Sequence, residues 1–255
     1  MKILSVDTCS KICNINLIED GKVLKYLEIE DDITHAKKLL KGIDDILKET
    51  NTKLKDIDFF GCIIGPGSFT GIRIGVSTIK GFALALNKKV ITATSMELLE
   101  ENVRNQEEEK ENKKNKETII TVIDARNDEV YASINKNNKR ENFAGNIDDF
   151  VVKLIEEDEN KEKENNKKEE KAKKQQKEKN KQKIYIVGTG KELFKKALNK
   201  KIKKEENEII YIEDEKQRGR YLGFLMEKNI KNASSGENVM PLYLKPSGIK
   251  LKKNK

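Results

Sequence analysis

The 255-residue chain carries 52 Lys+Arg against 44 Asp+Glu, a formal net charge of +8, with 36% hydrophobic and 38% charged residues. That balance is too polar for one core running the whole length, so part of the chain is solvated. No apolar run reaches the ~18 residues of a membrane helix, and Asp7 interrupts the N-terminus before a signal-peptide core forms, which predicts a cytoplasmic protein with no membrane partner.

Ile3-Leu4-Ser5-Val6-Asp7 reads as a short buried strand ending at a polar turn. Cys13, Ile15 and Leu17 alternate with Asn14 and Asn16, the period of a half-buried strand, and Asp20-Gly21 marks a hairpin turn into a third strand from Val23 to Ile29. Thr34 is placed to cap a helix with Ala36, Leu39, Leu40, Ile43 and Leu47 on one face. Phe59 to Ile64 reads as a central strand and Gly65 to Gly71 as a turn. Ile72, Val76, Ile79, Ala83 and Leu86 then stripe a second helix, and Val90-Ile91 makes a last strand. The predicted order is βββαβαβ.

A second block starts the same way. Ile119 to Ile123 ends at Asp124, and Val130 to Ile134 follows the turn Arg126-Asn127-Asp128. A helix bearing Phe150, Val151, Leu154 and Ile155, a strand from Ile184 to Val187, a glycine turn, a helix from Glu192 to Leu198 and a strand from Ile209 to Ile212 complete it. Residues 101–117 and 156–183 offer no apolar period and read as charged insertions, and 246–255 is a basic tail. The expected domains are therefore an N-terminal lobe over 1–100 and a C-terminal lobe over 118–155 and 184–245. Two βββαβαβα lobes of this kind make an α/β protein of the actin-like, ribonuclease H-like class.

The insertion 156–183 and the stretch 245–255 contribute two and five of the eight net charges. The folded part is nearly neutral, and only the tail lysines Lys250, Lys252, Lys253 and Lys255 offer nonspecific attraction for phosphate. Three cysteines, Cys9, Cys13 and Cys62, do not pair off into a disulfide framework and read as small core residues. One histidine, His35, is too few for a zinc site and reads as a helix-start or core residue.

The most specific segment is Gly65-Pro66-Gly67-Ser68-Phe69-Thr70-Gly71-Ile72-Arg73-Ile74-Gly75. Glycines between a strand and a helix expose backbone N–H groups at a positive helix end, which suits phosphate. It lacks the Gly-Lys-Ser/Thr of a Walker loop, and Pro66 stands where the G-x-S-x-G of a nucleophile elbow needs a glycine. The other reading is a tight strand-to-helix connection, with Gly71 and Gly75 on one helical face admitting a second helix at close range.

The segments ILSVDTCS from Ile3, His35-Ala36-Lys37-Lys38-Leu39-Leu40, GPGSFTGIRIG from Gly65, Asp124-Ala125-Arg126 with Glu129-Val130-Tyr131, and Pro241-Leu242-Tyr243-Leu244 closely resemble the bacterial TsaB (YeaZ) family. The resemblance covers both blocks and skips the insertions. It implies a noncatalytic paralogue of the TsaD transferase subunit. With TsaD and the ATPase TsaE, such a protein serves the synthesis of threonylcarbamoyladenosine next to the anticodon of tRNAs reading codons that start with adenine. TsaD-type catalysis relies on paired metal-binding histidines, and His35 alone does not supply the pair.

The resemblance implies no catalytic residue, no metal and no intrinsic cofactor, and leaves room for ATP or ADP within the complex. Its implied partners are a TsaD-type transferase, a TsaE-type ATPase, tRNA reached indirectly, and a second copy when the chain is alone. N-terminal-lobe helices make the family's contact, which points to Leu39, Leu40, Ile43, Gly71, Arg73, Gly75 and Ile79. Asp7 and Thr8, with Gly65, Gly67 and Ser68, are either a nucleotide or phosphate contact or a capped turn left from a nucleotide-binding ancestor. Asp124 and Arg126 occupy the matching turn of the second lobe, and Gly188-Thr189-Gly190 resembles the adenosine turn of the superfamily. Lys245 stands where the family commonly has Arg, which keeps the charge and loses the bidentate fork. An actin-like small-molecule kinase and a basic RNA-associated protein are the competing classes.

Overall fold

The computed structural model describes residues 1–30, 35–108, 117–137, 139–166, 183–201, 208–213 and 218–244. Strands β1 (Lys2–Asp7), β2 (Ile12–Glu19) and β3 (Lys22–Glu30) form an antiparallel meander. Its β2–β3 turn is tight because Asp20 and Gly21 both take positive φ, 46° and 76°, the geometry that favours a two-residue hairpin. Helix α1 (His35–Glu49) leads to β4 (Phe59–Ile63), which lies parallel to β1, and α2 (Phe69–Ala85) leads to β5 (Lys89–Ala93), parallel to β4. Parallel neighbours need a crossover, and each helix supplies one. Helix α3 (Ser95–Glu108) closes the first half.

The second half repeats the order. An antiparallel meander of β6 (Thr118–Asp124), β7 (Glu129–Lys136) and β8 (Lys139–Asn146) is followed by α4 (Ile147–Asn166), β9 (Lys183–Val187), α5 (Lys191–Lys201), β10 (Glu208–Tyr211) and α6 (Arg218–Lys228). Strand β9 pairs parallel to β6, and β10 parallel to β9. A short β11 (Ser234–Ser235) adds antiparallel to the edge of β5, giving sheets ordered β11-β5-β4-β1-β2-β3 and β10-β9-β6-β7-β8. The expected doubled βββαβαβα pattern is thus present, and the architecture is the two-lobed actin-like α/β fold.

The chain forms two compact units, 1–105 with 215–255, and 106–214. The first differs from the expected lobe boundary, because α6 packs on β1, β2 and β3 of the first sheet although the sequence reading placed 184–245 in the second lobe. Tyr221, Leu222, Leu225 and Met226 bury the apolar side of α6, and Gly219 and Gly223 bring its backbone against Tyr26 and Asn16. Helices α1 and α2 cover the opposite face of that sheet, where Gly42 of α1 approaches Ile15 and Ile29.

The expected insertion at 101–117 begins inside an ordered helix. Thr94 Oγ1 accepts from Glu97 N–H at 3.2 Å while Glu97 Oε2 accepts from Thr94 N–H at 2.6 Å, a capping box that starts α3, and Val103 is fully buried. Helix α4 likewise runs to Asn166, inside the second expected insertion. Residues 109–116 and 167–182, the capping role of Thr34 and the basic tail all lie outside the described residues. Among the described residues, no helix is long and apolar enough to cross a membrane.

In the second unit the core centres on Phe150, whose ring stands 5.1 Å from Phe143 and 6.0 Å from Phe194. Phe150→Ala is expected to cost about 3–5 kcal/mol in urea unfolding, while a change at exposed Lys139 leaves the midpoint unmoved.

Candidate functional site

The glycine segment closes on the β1–β2 turn of its own unit. Ser68 caps α2, its Oγ accepting from Gly71 N–H at 3.2 Å, and Ser68 N–H donates to Cys9 O at 2.7 Å. Thr8, fully buried, donates its hydroxyl to Gly71 O at 2.6 Å. A Cβ at Gly67 would overlap Cys9 O, one at Gly71 would overlap Thr8 O, and one at Gly75 would overlap Thr8 Oγ1. Gly65, at φ +113°, also lies within 2.8 Å of Leu242 O measured from where its Cβ would stand. Three glycines therefore make room for one turn of backbone.

Asp7 is equally engaged. Its Oδ1 accepts from Cys9 N–H at 2.9 Å, its Oδ2 accepts from Asn14 Nδ2 at 3.3 Å, and Arg218 of α6 stands 3.8 Å from Oδ2. Both members of that ion pair are buried. The Asp7 carboxylate is fully inside protein with a guanidinium from α6 beside it, an arrangement that compensates a buried charge. Asp7 and Thr8 of the expected ligand set are thus buried and bonded within the unit, and Gly65 and Gly67 lie against backbone, while Ser68 is exposed at the start of α2.

The interface residues expected from the sequence divide into two groups. Leu39, Ile43, Gly71, Gly75 and Ile79 are buried within the unit, while Leu40 and Arg73 are exposed. The spacing of Gly71 and Gly75 was expected to admit a neighbouring helix; what enters is Thr8. The exposed face of α2 is instead Thr70, Arg73, Ser77, Gly81 and Leu84, three or four residues apart. Gly81 has nothing within 4 Å of its Cβ position, and Leu84 is 48% exposed.

Residues 236–244 run along one flank of that helix as a strap. Lys80 Nζ donates to Glu237 O at 3.0 Å, Arg73 Nε donates to the Tyr243 hydroxyl at 3.0 Å, and the Arg73 guanidinium lies 3.8 Å from the Phe69 ring centroid. The Phe69 and Tyr243 rings meet at a 38° tilt with centroids 5.2 Å apart. On the other flank, α1 and α2 border an open groove of about 630 Å³ lined by Leu40, Ile43, Leu47, Leu54 and Phe82 among others. This exposed aromatic, aliphatic and arginine surface has the composition of protein contact sites.

In the second unit, Asp124 Oδ1 accepts from Arg126 N–H at 2.7 Å and Thr189 Oγ1 accepts from Asp124 N–H at 3.1 Å. Asp124 and Arg126 are exposed and form no ion pair with each other among the described contacts. Sequence reasoning missed Arg218, Phe69, Gly81, Leu84 and Tyr243. The 77–81–84 spacing was available; the pairing of Arg218 with Asp7 was not, since the two lie near opposite ends of the chain.

Burial raises the thiols of all three cysteines, Cys13 and Cys62 to about 12 from an ordinary 9.0, and Cys9 well upward, with the nearby Asp7 carboxylate adding to burial. A folded-state pKa above the unfolded value keeps the proton in the fold, so this stabilisation is complete below about pH 9 and is lost as pH rises toward the folded values. Unfolding free energy is expected to fall above pH 9 by about 1.4 kcal/mol per pH unit for each such thiol, checked by urea unfolding at pH 8 to 11. Gly75→Leu is expected to destabilise the first unit by at least ~1–3 kcal/mol through overlap with Thr8, read as a lowered unfolding midpoint.

A family model described as TsaD, tRNA N6-adenosine threonylcarbamoyltransferase, matches residues 31–252. The TsaB tRNA threonylcarbamoyladenosine biosynthesis protein of Escherichia coli K12 is 31% identical over 131 residues, covering 51% of this chain and 53% of that protein. The Bacillus subtilis protein of the same name is 27% identical over 135 residues, covering 52% and 55%. The chain spans about half the length of these curated relatives. YeaZ from Pseudomonas aeruginosa shares the fold with a TM-score of 0.65 at 20% identity, covering 95% of this chain and 99% of that one. With a match that runs through both repeats of the fold, the chain belongs to the threonylcarbamoyltransferase family that the model describes, and it is similar there to proteins named TsaB.

Proposed function

We propose that this chain is a noncatalytic subunit of the tRNA threonylcarbamoyladenosine machinery, binding and supporting a TsaD-type transferase together with a TsaE-type ATPase. The product in this reading is the modified adenosine next to the anticodon of tRNAs reading codons that start with adenine. The observation that supports the reading is the packing beside the glycine segment: Asp7 and Thr8, groups an actin-like kinase would turn toward a nucleotide, are buried and bonded to Arg218, Asn14, Cys9 and Gly71. The single histidine of the chain supports the same conclusion, because paired histidines hold the metal in the catalytic paralogue and one imidazole makes no such pair.

The docking surface in this proposal is the face of α2 bearing Thr70, Arg73, Ser77, Gly81 and Leu84, with Leu40 across the groove. Small residues at Ser77 and Gly81 let a partner helix approach closely, while Leu40, Leu84 and the Phe69–Arg73–Tyr243 cluster supply apolar area and anchors. Alone, the same face pairs two copies of the chain. The buried Gly71, Gly75 and Ile79 act from beneath, by fixing the helix that presents it.

Complementation of a strain lacking its own TsaB-type gene, read by mass spectrometry of nucleosides from its tRNA, tests the proposal. Restored threonylcarbamoyladenosine with copurification of the transferase supports it; ATP-dependent phosphorylation of a small molecule by the isolated chain, with no restoration, overturns it in favour of a kinase. Gly81→Arg and Leu40→Asp are each expected to reduce copurification at least tenfold while leaving the circular dichroism spectrum unchanged, since both positions are exposed.

A further inference from the structure

Helix α5 separates its side chains sharply. Phe194, Ala197 and Leu198 are buried in the second unit, while Lys195, Lys196, Lys200 and Lys201 are exposed, with Asn199 between them. The helix holds five lysines against one acid, Glu192. Lys191 pairs with Glu213 at 2.8 Å and Lys195 stands 5.1 Å from the Tyr211 ring centroid. Lys196, Lys200 and Lys201 have no acidic partner among the described residues.

Helix α1 handles its lysines differently. Lys41 pairs with Asp45 and Lys48 with Asp44, each at 2.5 Å and four residues apart, so that surface is locally neutral. The helix dipole accounts for Lys200 and Lys201 in the last turn of α5. It gives no reason for Lys195 and Lys196, more than a turn earlier. From this segregated charge on an ordered helix, met among the described residues of α5 by the single acid Glu192, we infer that α5 contacts the phosphate backbone of tRNA. The inference rests on the proposed role in tRNA modification and makes direct a contact that the family resemblance left indirect. Lysines act on phosphates as point charges without reading sequence, so the contact positions the tRNA and does not select it. An anionic membrane is the weaker partner, because the apolar side of α5 is buried in the unit and nothing remains to insert among lipids.

The test uses the full chain and an unmodified tRNA transcript, with affinity measured across a salt series. In a variant carrying Lys195→Gln, Lys196→Gln, Lys200→Gln and Lys201→Gln, the slope of log affinity against log salt is expected to fall by about 3. A second variant carries Lys250→Gln, Lys252→Gln, Lys253→Gln and Lys255→Gln, and keeps most of the slope. Unchanged binding in the α5 variant, loss of the slope in the tail variant alone, or binding to anionic vesicles without binding to tRNA overturns the inference. Complementation by the wild-type chain separates the two failures: if it restores the modified nucleoside while the α5 variant binds tRNA normally, only the α5 contact falls. If the wild-type chain does not complement, the functional reading falls first.

Discussion

The first unit is organised around the entry of Thr8 into the N-terminal turn of α2. Glycine in a helix interior costs roughly 1 kcal/mol against alanine, and α2 carries Gly71 and Gly75 on the face that meets this turn. The cost is offset by an approach that no residue with a Cβ permits. It places the Thr8 hydroxyl on Gly71 O and buries the end of β1. Once that contact is set, the azimuth of α2 is set too, and the residues turned away from Thr8 become its outer face. The surface proposed for a partner is therefore determined by an internal steric demand.

Much of this was legible in the residues, for identifiable reasons. The stripe Ile72, Val76, Ile79 and Ala83 is buried as its spacing predicts. The α1 stripe was read one position too wide: Leu40 is 51% exposed and Ile46 takes the buried place, because helical periodicity locates the centre of an apolar face better than its edges. Gly71 and Gly75 were correctly placed on one face, yet spacing reports only that side chains are missing there and says nothing of what fills the gap. Thr94 and Glu97 formed a readable capping box ahead of α3, hidden by the charge density that follows. Helix α6 showed the period of Tyr221, Leu222, Leu225 and Met226, but its docking on the first sheet depends on a return of the chain that local pattern does not encode.

Net charge illustrates the same distinction. A total of +8 assigned to insertions and tail described where the excess lies along the sequence. It did not reveal whether each lysine has an acid within reach, which is a property of geometry. Helices α1 and α5 are both lysine-rich; in α1 two lysines close ion pairs with aspartates one turn away, while α5 sets one acid, Glu192, against five lysines. Local pairing, and not the sum, determines whether a surface attracts a polyanion.

The two halves of the chain share a packing device and differ in the charged groups beside it. In the second unit, Gly190 opens α5 as Gly71 lies at the start of α2: a Cβ there would come within 2.7 Å of Val122, and Gly190 N–H donates to Val122 O at 2.8 Å. Each unit thus sets a glycine at the start of the helix after its first parallel strand, against the end of its first strand. The aspartates at those strand ends differ. Asp7 is buried beneath Arg218, whereas Asp124 is exposed and holds a turn through Arg126 N–H. The glycine answers a steric requirement of the fold that both units share, while the carboxylate answers only to whatever covers it. A glycine motif in this architecture is consequently evidence for how strand, turn and helix meet, and the chemistry of the site has to be argued from the charged groups around it.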